Sequence, residues 1–158
     1  MKLQENQILQ LKSAIETALD LVYEKDIYLI ENKVHERSIV NRFSIYFQQI
    51  LDETEFAAYH LDFEYNKNHA NPKRTVNFEQ GTYPDIILHR RGSNDANVLI
   101  IEFKTWWDNN TEIDIKKLKD FTDQNGPYQY VIGYSIVFGR TKSALSKTLV
   151  KNGEVCNE

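Results

Sequence analysis

Apolar positions recur along this chain with two different periods, and each change of period marks an element. Over residues 3–24 the spacing is three or four: Ile8, Leu11, Ile15, Leu19 and Val22 form one stripe, while Gln4, Lys12, Ser13 and Asp20 fill the other faces. This predicts a helix that packs on the core or on a second copy of the chain. Residues 26–30 are short enough to be either a last helical turn or an extended connection. A second helix is predicted over 34–51, where Val40, Phe43, Phe47 and Ile50 carry the stripe. The period then drops to two. Residues 58–66 set Leu61, Phe63 and Tyr65 against His60, Asp62, Glu64 and Asn66, as in a half-exposed strand at or near a sheet edge. Asp62 and Glu64 are expected to be solvated or paired with neighbouring basic groups.

Residues 67–82 contain Pro72, Gly81 and several Asn, which predicts a long loop. Its Lys67, His69, Lys73 and Arg74 are expected either to meet phosphate or to be solvated. Two aliphatic strands follow, PDIILHR (84–90) and NVLIIEFK (97–104), joined by the turn-forming run 91–95. Thr111 then reads as the N-cap of a helix reaching Asp123, with Ile115, Leu118 and Phe121 or Thr122 inward and Lys116, Lys117 and Lys119 outside. Asn125-Gly126-Pro127 breaks it. Residues 130–138 (YVIGYSIVF) are almost continuously apolar, as in a sheet interior. Gly139 ends that strand, and 141–150 is predicted to be a short closing helix before a disordered polar tail.

Two strands so aliphatic need a reason to carry charge. Asp85 opens the first; Glu102 and Lys104 close the second, on the face predicted to hold Val98 and Ile100. Buried charge is costly unless it is paired or holds a metal. Glu36 sits four residues before Val40, so an acid heads the apolar stripe of the second helix. The helix dipole alone is one sufficient reason for it. His89 shares a strand face with Asp85 and Ile87, which places it near the rim of any site there. Trp106-Trp107 are expected to pack in the core or a dimer contact, or to offer one ring to a base.

Pro84-Asp85, a spacer, and Glu102-Phe103-Lys104 resemble the PD-(D/E)xK motif of restriction-endonuclease-like nucleases. The element order from the second helix onward also resembles the αβββαβ core of that superfamily, over roughly residues 34–139. The resemblance implies an α/β (α+β mixed) domain spanning 1–158, a mixed central sheet flanked by helices, and the helix at 3–24 as an addition. It implies a metal-dependent nuclease that hydrolyses phosphodiester bonds, with DNA the expected substrate. Asp85 and Glu102 would be the principal ligands to Mg²⁺ or Mn²⁺, joined by the Phe103 carbonyl and by Glu36. Lys104 would orient or deprotonate the attacking water, its pKa lowered by burial and the cation. Two alternatives stay open: a catalytically inactive module of the same fold that binds nucleic acid or a protein, and an unrelated α/β domain in which Glu102 and Lys104 pair structurally.

Composition narrows this only a little. At 158 residues, 41% hydrophobic and 27% charged, the chain suits one ordinary globular domain. No apolar run is long enough to span a bilayer and the N-terminus has no signal-peptide core, so a cytoplasmic location without membrane contact is expected. The single cysteine, Cys156, excludes an internal disulfide framework. The four histidines, His35, His60, His69 and His89, lack metal-ligand spacing, and neither a phosphate-binding glycine loop nor a G-x-S-x-G elbow occurs. The formal charge of −4 gives no global pull on nucleic acid. It is uneven, however: residues 1–66 hold six basic and twelve acidic side chains, and residues 67–158 hold thirteen and eleven. A symmetric homodimer, with the first helix as its interface, would be the simplest way to cut both strands of a duplex.

Overall fold

The computed structural model describes residues 2–65, 67–68 and 71–157. Asn66 and His69 lie outside the described residues. Helix α1 (Glu5–Lys25) is followed by a short helix α2 (Ile27–Glu31), so the ambiguous connection is helical, and then by α3 (Glu36–Leu51). Strand β1 (His60–Phe63), a small antiparallel pair β2 (Lys67–Asn68) and β3 (Asn71–Pro72), β4 (Ile86–His89) and β5 (Leu99–Thr105) come next. Helix α4 (Glu112–Thr122) leads to β6 (Ile132–Phe138), and the chain closes with β7 (Ser146–Lys151) and β8 (Glu154–Cys156).

Six strands form one mixed sheet in the order β1-β4-β5-β6-β7-β8. Every pairing is antiparallel except β5 with β6, which α4 joins as a crossover. One face carries Leu99, Ile101, Phe103, Tyr134 and Phe138 and packs on α1 and α3 through Leu19, Val22, Val40, Phe43 and Phe47. The other presents Ile87, Ile100 and Val150 to Leu118 and Phe121 of α4. The molecule is therefore a three-layer α/β domain. α1 buries its apolar stripe inside the chain, chiefly against α3. Among the described residues no helix is long and apolar enough to cross a membrane.

Several expectations need correction. Residues 141–150 are not a helix: a short 3₁₀ turn (Lys142–Ala144) gives way to β7, and the tail pairs as β8. The hairpin turns on Asn152 and Gly153, with φ of 52° and 77°. An Asn-Gly pair is well suited to two successive left-handed residues, which match the twist of the flanking strands. Val98 packs with the α1/α3 side, because it precedes β5 and escapes the strand's alternation. The 67–82 loop is tied down: Thr75 Oγ1 and Asn77 Nδ2 donate to Asp120, and the Tyr128 hydroxyl donates to the Arg74 carbonyl at 2.9 Å. Lys73, expected either to meet phosphate or to be solvated, is 1% exposed. Its ammonium lies 5.0–5.9 Å from the ring centroids of Tyr65, Phe121, Tyr128 and Tyr130. β1 is an edge strand as expected, and its acids are paired: Asp62 with His89 and Arg91, Glu64 with Arg37.

Candidate active site

Strand register brings the two halves of the motif together. β4 and β5 pair as far as Ile86 opposite Ile101. Two residues further along β5, Phe103 comes opposite Pro84, which has no N–H to donate. The strand ladder stops there: Pro84 has no donor for the Phe103 carbonyl, and the Phe103 amide donates to Asp85 Oδ2 at 2.7 Å. Because the amide and carbonyl of one strand residue point to the same edge, the Phe103 carbonyl faces the same gap.

Glu102 and Lys104 lie on the α4 side of β5. Glu102 is 2% exposed; its Oε2 accepts a hydrogen bond from Lys117 Nζ of α4 at 2.7 Å, while Oε1 is buried and without a partner. Lys117, expected outside, is thus turned inward and also reaches the Tyr83 carbonyl at 3.4 Å. Lys104 pairs not with Glu102 but with Asp114 of α4, at 3.5 Å. The structural Glu102–Lys104 pair is therefore not formed. Gly133 of β6 makes this approach of α4 possible, since a Cβ there would stand 3.1 Å from Thr122 and 3.2 Å from Leu118.

Glu36 completes the group from the opposite layer. It occupies the first turn of α3, behind His35, whose Nδ1 accepts from the Arg37 amide as an N-cap. Burial pushes its carboxyl up to about 7; Lys104 pulls it down, and the negative charges of Asp85, Asp114 and Asp108 push it up. The same balance recurs around the site. Burial raises Asp85, offset in part by the Phe103 amide and Lys117. Burial holds Glu102 well above the carboxylate range, and Asp114 is raised too. Burial lowers Lys104, as expected, but Asp114, Glu36, Asp85 and Asp108 together leave it raised.

Four carboxylates (Glu36, Asp85, Glu102, Asp114) thus interact electrostatically with Lys104 or Lys117, two of them in ion pairs, and exceed the two ammonium groups by two negative charges when all are ionised. Sequence reasoning missed Asp114 and Lys117. The signal was present, since Asp114 heads the stripe Leu118–Phe121 of α4 as Glu36 heads that of α3. His89 does not join the site. It is 3% exposed at the far end of β4, bonded to Asp62 Oδ2 at 2.8 Å and set against Tyr65. Both tryptophans are half-buried, edge-on to each other at 5.4 Å, and Trp106 donates to the Ile30 carbonyl.

Compared with known proteins, the chain matches no family model, no curated protein and no solved structure. Geometry and chemistry carry the functional reading.

The donor chemistry fits a hard divalent cation: it is all oxygen, is anionic when its carboxylates are ionised, and includes the buried Glu102 Oε1, which has no hydrogen-bond partner. Among the described residues no three ligating side chains close on a single point. Glu102 is instead held by Lys117, which a metal would have to displace or share.

Proposed function

We propose that this chain is a metal-dependent nuclease of the restriction-endonuclease-like kind, hydrolysing phosphodiester bonds, with DNA as its substrate. The observation that carries this reading is the Asp85–Phe103 hydrogen bond, which joins Pro84-Asp85 to Glu102-Phe103-Lys104 at one sheet position with Glu36 in electrostatic reach. The element order α3, β1, β4, β5, α4, β6 supports the same core, with α1 and the β7–β8 hairpin as additions.

In this reading Asp85, Glu102, the Phe103 carbonyl and Glu36 would hold Mg²⁺ or Mn²⁺. When bound, the ion polarises the phosphoryl oxygen and lowers the pKa of water. The remaining work belongs to the chain. Lys104, cationic beside Asp114, orients the attacking water and stabilises charge that develops on the phosphoryl oxygens. Glu36 would complete the ligand set from the first turn of α3. Asp114 positions Lys104, and Lys117 positions the Glu102 carboxylate. Cleavage of supercoiled plasmid and single-stranded DNA with Mg²⁺, Mn²⁺ or EDTA, beside Asp85→Ala and Lys104→Ala, tests the reading. Metal-dependent cutting lost in both variants upholds it; an intact substrate with folded protein and no Mn²⁺ binding by calorimetry overturns it.

One observation favours a second reading. Lys117 already satisfies half of a carboxylate that is all but inaccessible. A non-catalytic module of the same fold, binding nucleic acid or a protein, would keep that internal pair as it is.

A further inference from the structure

Lys33 occupies a backbone position that favours glycine. Helix α2 ends in two crossed hydrogen bonds, from the Val34 amide to the Leu29 carbonyl at 2.9 Å and from the Lys33 amide to the Ile30 carbonyl at 3.3 Å. This capping motif puts one residue in the left-handed region, where a Cβ is unfavourable. Lys33 takes that place, with φ of 51°. Residues that break a local rule in this way often answer to function.

The position brings the Lys33 ammonium to 4.6 Å from the ring centroid of Trp106. Arg140, just beyond the C-terminal end of β6, brings its guanidinium to 5.8 Å from the same ring. Trp106 is fixed in turn by its bond to the Ile30 carbonyl. The ring attracts both cations through its quadrupole but neutralises neither. Both are exposed, and among the described residues neither has a carboxylate within ion-pair distance. Two positive groups gathered on one ring without an acid suit an anion with several oxygens.

Their place identifies the anion. Lys33 is three residues before Glu36, and Trp106 two residues after Lys104. Close sequence neighbours of Glu36 and Lys104 therefore carry the patch. We propose that Lys33 and Arg140, gathered on Trp106, form a binding site for a backbone phosphate of the nucleic-acid strand, beside the bond to be cut. The choice of ligand rests on the nuclease reading; the convergence of the two cations does not.

The test is binding of a short fluorescein-labelled DNA strand, single and duplex, by anisotropy in EDTA and again with Ca²⁺, over a salt series. Lys33→Gly suits its backbone position and Arg140→Gln is exposed, so both variants keep the fold; thermal melting confirms it, with Lys33→Gly at or above the wild-type Tm. The double variant is expected to bind at least ~10-fold more weakly, and the slope of log affinity against log salt to shrink by about 0.7 (single strand) or about 0.9 (duplex) per phosphate lost. Wild-type affinity and slope in the double variant would overturn the site, as would a wild type that binds neither DNA form. Plasmid cleavage with Mn²⁺ separates the two claims. A wild type that cuts while the double variant binds unchanged removes the phosphate site and leaves the nuclease. Binding lost in the variant, with no cutting by the wild type, upholds the phosphate site and removes catalysis.

Discussion

The Asp85 carboxylate receives the Phe103 amide at 2.7 Å, and this one bond ties the end of β4 to the segment of β5 that carries Glu102 and Lys104. It also holds a negative charge against Glu102, Glu36 and Asp114. Asparagine can accept the same bond without the charge. Asp85→Asn should therefore raise the Tm in EDTA, by a free energy of about 1 kcal/mol, while abolishing both Mn²⁺-induced stabilisation and cleavage. Melting curves with and without Mn²⁺ decide it, and a lower Tm in EDTA would show that like-charge crowding is not what the site carries.

Lys117 answers for Glu102. Removing one partner of a buried ion pair leaves the other uncompensated, at a cost of roughly 3 kcal/mol. Lys117→Met should lose about that much stability in metal-free urea titrations. It should then regain more on addition of Mn²⁺ than the wild type does, because the cation replaces the missing charge. Equal metal responses would separate Lys117 from the metal site.

Lys73 gives the fold a pH signature. Burial among aromatic rings lowers its pKa to about 8 from 10.5, with Asp62 opposing. Between those values the unfolded chain binds the extra proton, so stability rises with pH across that window, and the full cost is present below it. At 1.36 kcal/mol per unit the cost is of the order of 3 kcal/mol, less what the rings return as cation–π attraction. Lys73→Met should be more stable than wild type at pH 7, with the gap closing as pH rises from 8 toward 10. A constant gap across that range would count against a charged Lys73 in its cage.

Gly139 closes β6 where the backbone of the next turn crosses it. A Cβ there would lie 2.3 Å from the Ala144 carbonyl carbon, and the Gly139 carbonyl accepts the Tyr23 hydroxyl at 2.9 Å. Backbone cannot yield as a side chain can. Gly139→Ala should cost at least ~2 kcal/mol in urea unfolding, and a shift of the midpoint within error would mean that the 3₁₀ turn is free to move.

Much of this was legible in the sequence where one period dominated. The stripe of α3 located Val40, Phe43, Phe47 and the acid at its head, and the aliphatic runs located β4, β5 and β6. The C-terminal hairpin was missed although Asn152-Gly153 announced it, because Leu149 and Val150 are too few to set a strand period and 141–150 read as a short closing helix. The β7 residues bury only Leu149 and Val150. Lys73 was illegible for another reason: its cage is assembled from Tyr65, Phe121, Tyr128 and Tyr130, which no local pattern connects. Lys117 was misplaced because helix propensity sends lysine outward, and only the buried charge on the neighbouring strand calls it back.

When ionised, the four carboxylates outnumber the two lysines, and on the proposed nuclease reading this has a consequence for the order of events. A polyanion approaching these residues would be repelled until a cation occupied them, and the cation would be held more firmly once phosphate oxygens shared it. Metal and strand would thus be linked ligands, each raising the other's affinity by one and the same factor.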